Sequence, residues 1–332
     1  MKTNVRWGIL GCGRIAHKFA SDIPFAGNAQ LVAVASRNQD KARQFATAFG
    51  VPNAYGSYEE LVSDKNVDVI YIATPHSHHY EHTLLCLHHR KAVLCEKAFA
   101  VNARQASEMI DLARSEKLFL MEALWTKFLP HHQKMEKLVL EGLIGEVRSV
   151  LVNFGFRPSD PIPPRLFEPA LAGGSLLDIG LYAVFTAISV LGKPDHIDAC
   201  MTAASTGVDE QCSMVFRYNS GAIAQLFSTL SSDLPTEAHI SGTKGRIRLT
   251  HRFYAPDSTI EYYERKPDHF QVIETGVPNE GFGYQHEARH VGECLLNHQT
   301  ESPVIPLSAT LETMRILDEI REKAGIRYAA DL

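Results

Sequence analysis

The sequence predicts an α/β fold: an N-terminal doubly wound parallel sheet, followed by a C-terminal α+β domain built on a large, mostly antiparallel open sheet. Three observations carry this. Short apolar, β-rich runs alternate with helix-like stretches through about residue 122. The first run, Val5 to Leu10, feeds directly into Gly11-Cys12-Gly13-Arg14-Ile15-Ala16, a Gly-x-Gly-x-x-Ala turn. After about residue 145 the apolar period changes to two, as in strands with one buried face.

Each element of the first half has a local reason. Arg14 to Ser21 suits a crossover helix, and Leu31 to Ser36 is apolar enough for a buried parallel strand. Asp40 to Phe49 is helical, with Gly50 where a C-cap falls. Val67 to Ala73 is the next strand, stopped by Thr74-Pro75, with a helix over Glu81 to His89. Ala92 to Cys95 is a fourth strand ending at Glu96-Lys97, Asn102 caps a helix to Ser115, and Leu118 to Met121 is a fifth strand. In the second half, Glu146 to Phe156, Ala199 to Thr206, Gln211 to Tyr218, Ala222 to Leu230, Glu237 to Ser241 and Gly245 to Thr250 are strands. Helices are expected at Ser175 to Leu191, Tyr284 to Leu296 and Ser308 to Ala324, the last able to pack back on the first domain. The expected division is 1–125 for a dinucleotide-binding (Rossmann) domain and 126–332 for the α+β domain.

Composition narrows the function classes. A chain of 332 residues, 45% hydrophobic and 21% charged, is an ordinary globular protein able to bury a sizeable core. A net charge of −5 argues against nucleic acid as a partner, and no helix-turn-helix or basic stripe is evident. No signal peptide and no run of 18 apolar residues is seen, so neither export nor a membrane is expected. Cys12, Cys86, Cys95, Cys200, Cys212 and Cys294 are dispersed without a C-x-x-C pair, which reads as reduced thiols in a cytoplasmic protein.

The glycine turn sets the chemistry. Gly11 lets the turn close, Gly13 omits the Cβ that would block a pyrophosphate, and Ala16 keeps the helix near the sheet. Cys12, Arg14 and Ile15 complete the cradle, and the helix N-terminus offers free N–H groups to phosphates. An acidic residue roughly 20 positions on would favour NAD by binding the ribose hydroxyls. Here Ser36 and Arg37 stand in its place, suited to a 2′-phosphate, so NADP is favoured, with NAD possible. Arg37 otherwise reads as a solvated loop cation. Two more strand ends face the cofactor cleft of such a sheet: Thr74-Pro75, with His76, His78, His79 and His82 following, and Glu96-Lys97. The histidines read as hydrogen-bonders, and no metal site is expected. Lys97 is a candidate for proton handling, or else a flanking surface cation. Ser175 reads as an N-cap; Asp178, three residues on, could bond back to it as a capping box, and Tyr182 could be half-buried packing.

On these residues the chain resembles the glucose–fructose oxidoreductase/inositol dehydrogenase (Gfo/Idh/MocA) family. The marks are Gly11 to Ala16, Thr74-Pro75 with His79, Glu96-Lys97, Met121 to Trp125, Gly142 to Val147 and Gly173 to Tyr182, spread over nearly the full chain. It looks most like the dimeric dihydrodiol dehydrogenase and NADP-linked D-xylose dehydrogenase subgroup, because Tyr182 stands where many members carry His. The segments Val93 to Lys97, Tyr55 to Leu61 and Ser302 to Leu307 also resemble that subgroup. One departure is Ala98, where the family usually has Pro after Glu-Lys. A cis bond before a non-proline residue costs about 2.5–4 kcal/mol, so a trans link is expected.

The resemblance implies an oxidoreductase that moves a hydride between the nicotinamide and a carbinol of a sugar, polyol or trans-dihydrodiol. It implies that Tyr182 accepts the hydroxyl proton, helped by Lys97, with Asp178 holding Lys97 or a second hydroxyl. A free phenol has a pKa near 10, and a nearby ammonium favours phenolate. Alternatively Lys97 carries the proton and Tyr182 positions the substrate. Arg157, Arg165 and His79 would supply hydrogen bonds to substrate, and Trp125 and Phe154 an apolar wall or simply core. A homodimer or higher homo-oligomer through the exposed face of the C-terminal sheet is implied. Two rival readings are an NAD-linked polyol or nucleotide-sugar dehydrogenase and a dinucleotide sensor without catalysis.

Overall fold

In a computed structural model, residues 4–265, 269–278 and 280–331 are described. The outermost positions of both expected domains, 1–3 and 332, lie outside them. The chain divides into two compact units, Met1–Trp125 with Glu280–Met314, and Thr126–Asn279 with Arg315–Leu332.

The first unit alternates strand and helix: β1 (Val5–Leu10), α1 (Arg14–Ala26), β2 (Ala29–Ala35), α2 (Gln39–Phe49), β3 (Asn53–Tyr55), α3 (Tyr58–Ser63), β4 (Val69–Ile72), α4 (His79–His88), β5 (Ala92–Glu96), α5 (Ala103–Glu116) and β6 (Leu120–Ala123). The six strands are parallel in the order β3-β2-β1-β4-β5-β6, so the strand order reverses between β1 and β4. A ligand crevice forms at such a switch point. Local caps fix the helices. Asn38 and Asn102 accept backbone N–H bonds at the starts of α2 and α5, and Ser57 and Glu60 form a reciprocal capping box on α3. α1 runs five residues beyond the expected Ser21, through Pro24 in its last turn, and stops where Gly27 turns left-handed. The three-residue edge strand β3 was not expected; it is too short for a periodic signal.

The second unit holds α6 (Pro130–Leu140), β7 (Val147–Gly155), α7 (Leu181–Leu191), β8 (His196–Ala203), β9 (Asp209–Arg217), β10 (Ile223–Thr229), β11 (Glu237–Gly242), β12 (Gly245–Leu249), β13 (Ile260–Glu264) and β14 (Phe270–Ile273). Its sheet has eight strands in the order β14-β13-β12-β11-β7-β10-β9-β8, and only the β7–β10 pair is parallel. Val150, Val152, Ala224 and Leu226 are buried beneath α7, while Leu151 and Ile223 on the opposite face are 43% and 44% exposed. The hairpin partner β14 and strand β13 were not expected, since their aromatic and charged residues break the alternation. One helical stretch, Pro169–Leu191, is long and apolar enough to cross a membrane by length and composition, but 78% of its apolar window is buried inside the fold.

The expected division at 125/126 differs from these units over Glu280–Met314, which belongs to the first and holds α8 (Gln285–Leu296) and the start of the last helix. Ala288, Val291 and Cys294 of α8 are buried, and α8 packs on α1. Asp22, buried on α1, accepts the backbone N–H groups of Phe282 and Tyr284 at 2.9 and 2.8 Å, capping the start of α8 from a distance. Arg289 returns the favour, donating to the carbonyls of Ala26 and Phe25 at the end of α1 at 3.0 and 2.8 Å. The final helix, α9 (Leu307–Ala324), begins in the first unit and ends in the second.

Two fully buried carboxyls in the first unit, Glu122 and Glu287, make no hydrogen bond through either oxygen. Burial pushes Glu122 up to about 7. Burial, with Glu96 and Asp22 nearby, pushes Glu287 well above the usual range. A carboxyl raised on folding binds its proton more tightly in the native state, so its stabilisation is complete below the unfolded value and is lost as pH rises through the folded one. Glu122→Gln should therefore flatten the decline of melting temperature between about pH 5 and 8, the parent losing on the order of 3 kcal/mol through this group. Parallel pH–stability curves for the two proteins would contradict this account.

Candidate functional site

The cofactor half of the site is assembled by the first unit. The Gly11 N–H donates to the Ala35 carbonyl at 2.9 Å, and the Ala73 N–H donates to Leu10 at 2.9 Å, so the ends of β1, β2 and β4 meet. Gly11 has φ of +102°, and a Cβ there would stand 3.0 Å from the Ala73 carbonyl. Gly13 differs: it is the N-cap of α1 in extended conformation, and a Cβ would meet only the Ala73 carbonyl, at 3.7 Å. No side chain caps α1, which leaves its first N–H groups open to a phosphate. Cys12 is buried with its thiol on the Ala35 carbonyl, Arg14 is exposed, and Ile15 is half-buried.

Beside this turn lies a cavity of about 280 Å³ lined by Arg37, Ser57, Tyr58, Thr74, Pro75 and His82, among others. Arg37 is exposed and faces the Tyr58 phenol, whose pKa burial raises and the guanidinium lowers. Ser36 is buried, and its hydroxyl accepts the Asn38 N–H at 3.3 Å. Tyr58 was missed from sequence as a lining residue, whereas His78, Glu81 and His82 belong to the segment expected at this strand end. His78 lies 2.7 Å from Glu81 and His82 lies 3.0 Å from the Thr74 hydroxyl. Burial pushes His82 down to about 4.

The strand ends carry the proposed chemistry and one correction. His79 was expected to reach cofactor or substrate. It is fully buried, and its ring nitrogens lie 2.7 Å from the Ala98 carbonyl and 2.8 Å from the Thr74 carbonyl. Its hydrogen-bonding capacity is spent on holding two loops together, leaving none for a ligand. Burial pulls its pKa down to about 4 against those carbonyls. Lys97 is half-buried at the end of β5, directly after Glu96, which accepts a hydrogen bond from the Tyr71 phenol. The Lys97–Ala98 peptide is cis, not trans as expected. Ala98 to Val101 are buried, and the carbonyls of Ala98 and Phe99 are engaged by His79 and Cys95, so tertiary contacts set a geometry that local preference disfavours. Trp125 is buried and stacks on Tyr284 at 4.5 Å.

The second unit assembles the other candidates. Asp178 lies in a π-turn, Leu176–Gly180, that leads into α7 and Tyr182. Ser175 stands at the expected N-cap position, but with helical φ and ψ, and its side chain makes no cap bond. Asp178 forms an ion pair with Arg165 at 3.0 Å, which brings together two predicted residues. The Tyr182 ring lies 5.9 Å from Phe154 and 5.0 Å from Tyr254, and Tyr254 stacks on Phe154 at 4.3 Å. Tyr254 follows Phe253 in a loop and gave no sequence signal. Arg157 does not join this cluster; it is exposed, and its backbone N–H bonds to Asp233. Among the described residues, no group of three or more His, Cys, Asp or Glu is arranged to hold a metal.

A parallel sheet with this switch point, an uncapped glycine turn and a flanking cavity define a dinucleotide-binding site, and the family and relatives that the chain matches make it an NAD(P)-dependent oxidoreductase acting on CH–OH groups. A family model described as the Gfo/Idh/MocA oxidoreductase family, NAD-binding Rossmann fold, matches residues 5–124, and one for the Gfo/Idh/MocA C-terminal domain matches residues 132–248. The chain belongs to this family. It is 40% identical over 334 residues to trans-1,2-dihydrobenzene-1,2-diol dehydrogenase of Mus musculus, covering 98% of this chain and 99% of the relative. It is 37% identical over 336 residues to the enzyme of that name from Homo sapiens, with 98% and 99% coverage. Among solved structures, aldose–aldose oxidoreductase from Caulobacter crescentus with glycerol matches with a TM-score of 0.88 at 25% identity, covering 97% and 98% of the two chains. A 3-ketoreductase from Actinomadura kijaniata with NADP and TDP-benzene shares the fold, with a TM-score of 0.86 at 24% identity and 97% and 98% coverage.

Because Gly13 has an ordinary φ and open space around its missing side chain, the fold itself does not require glycine there. Gly13→Ala should cost no more than about 1 kcal/mol of stability. It should weaken NADP binding by roughly tenfold, since the added methyl blocks the pyrophosphate. Calorimetric titration alongside a thermal melt checks both; unaltered affinity would remove Gly13 from the site.

Proposed function

We infer that this protein is an NADP-dependent dehydrogenase of small diols, oxidising a carbinol of a trans-dihydrodiol or cyclic sugar. The observation that carries the reading is the cluster in the second unit. The Arg165–Asp178 pair gives a polar edge, and the aromatic face of Phe154, Tyr254 and Tyr182 gives an apolar wall. An apolar ring bearing two adjacent hydroxyls is complementary to such a surface. The named relatives, which act on a dihydrodiol by their names, support the same substrate class.

The residues of the first unit fit a phosphorylated dinucleotide. The uncapped start of α1 receives the pyrophosphate, and Ser36 and Arg37 at the end of β2 receive the 2′-phosphate, in place of the acidic residue that would bind the ribose hydroxyls of NAD. The nicotinamide, when bound, supplies the hydride acceptor. Tyr182 takes the proton from the substrate hydroxyl, and Lys97 is the other candidate for handling it. Asp178, held by Arg165, receives the second hydroxyl. The uniformly free thiols suit a reducing compartment, and the cytoplasm is the natural location. The exposed sheet face around Leu151 and Ile223 forms a homodimer interface, bordered by the Glu237–Arg248–Glu261 network.

Three outcomes test the reading. Tyr182→Phe should lower kcat by at least about 10²-fold while leaving the NADP dissociation constant unaltered, because general acid–base groups supply that order of acceleration. Arg37→Ala should raise the NADP dissociation constant roughly tenfold, the worth of one charge-assisted phosphate contact, and barely alter that of NAD. Leu151→Glu should convert a dimer to a monomer by light scattering. Full turnover in Tyr182→Phe would reject the proton-handling assignment, and equal losses for both coenzymes would reject the phosphate assignment.

A further inference from the structure

The π-turn that carries Asp178 has no cap of its own. A helix start leaves its first N–H groups without acceptors, and Ser175, being helical itself, has its side chain elsewhere. The acceptor comes from β9. The fully buried Asp209 carboxylate takes the Leu176 N–H at 2.6 Å and the Ser175 hydroxyl at 2.9 Å, and Ser175 also lies 2.9 Å from the Ser228 hydroxyl on β10. Gly174 makes room, for a Cβ there would fall 2.1 Å from the Asp209 carboxylate. The other oxygen of Asp209 faces the Tyr328 hydroxyl at 3.4 Å, and that hydroxyl also donates to the Gly173 carbonyl at 2.8 Å.

Tyr328 is itself held. The Arg321 guanidinium lies 4.8 Å over its ring and pairs with Asp331, while the Tyr328 N–H donates to Asp331 at 2.9 Å. The C-terminal turn thus folds as a clasp whose tip reaches the glycine pair before the π-turn. The same glycines touch the segment bearing Arg165: the Gly174 N–H donates to the Leu166 carbonyl at 2.8 Å, and a Cβ on Gly173 would collide with the Arg165 and Leu166 carbonyls.

We propose that Asp209 and Tyr328 are positioning residues for the reaction: together they pin the start of the π-turn to the sheet and so aim Asp178 and Tyr182. This rests on the proton-handling role of Tyr182 proposed above. Tyr182 stands six positions after Leu176, roughly 9 Å of helix, so a tilt at the pin displaces both functional side chains together. Displacements of about 1 Å are enough to cost up to 10²-fold in rate.

The test uses the full chain and three variants, Asp209→Ala, Asp209→Asn and Tyr328→Phe, with NADP-binding stoichiometry used to count folded enzyme. In Tyr328→Phe and Asp209→Ala, kcat per binding site should fall by roughly tenfold or more with the substrate KM altered less than about twofold. The NADP dissociation constant, a property of the first unit, should not change. Amide hydrogen exchange across residues 173–182 should accelerate, a readout independent of turnover. Asp209→Asn retains one acceptor oxygen for Leu176 and should restore most of the rate. Should Asp209→Ala fail to fold, Tyr328→Phe, which removes a single hydroxyl, decides alone. Parental exchange and parental kcat in Tyr328→Phe overturn the proposal. If Tyr182→Phe retains turnover, the proton-handling reading falls instead, and the exchange data still report whether the pin exists.

Discussion

The close approach of β1 to β4 at the Gly11 turn is the constraint on which the cofactor half of this molecule depends. A Cβ at Gly11 would meet the Ala73 carbonyl, and β1 could then not end beside β4 at the point where strand order reverses. From that contact the rest follows in register. β4 delivers Thr74-Pro75, β5 pairs with β4 and delivers Glu96-Lys97, and α1 starts uncapped between them. The glycine therefore acts twice, once on backbone conformation and once by placing three strand ends around one crevice.

A second theme is capping from a distance. Asp22 caps α8 across 260 residues of sequence, and Asp209 caps the π-turn from β9. Both carboxylates are fully buried, and burial raises their pKa values against the N–H groups that favour ionisation, Asp209 to about 6. Each joins segments that chain connectivity would leave independent. In both cases a left-handed or close-packed glycine, Gly281 or Gly174, gives the carboxylate space.

The histidine-rich stretch after β4 shows how polar residues near a site can be structural. His79 bridges two backbone carbonyls, His82 meets Thr74, and His78 meets Glu81, so these rings tie the strand-end loops into one frame. His79 in particular links the loop after β4 to the peptide following Lys97.

Much of this was legible in the sequence. The glycine turn, the alternation of strands and helices, and the change of period after residue 145 determined the two kinds of sheet, because burial imposes a period of 2 or 3.6 on whatever sequence forms it. Local chemistry also identified Asn102 as a cap and Ser36-Arg37 as the segment at the end of β2. What the sequence left open, or led to the wrong expectation, concerns partners distant along the chain. That α8 packs with the first unit, that Arg165 meets Asp178, that Tyr254 stacks on Phe154, that Ser175 yields its cap to Asp209, and that Lys97–Ala98 is cis were decided by tertiary packing. Such pairings carry no periodic trace in one sequence: each depends on a buried polar or aromatic group finding its complement, and only the folded chain brings the two within reach.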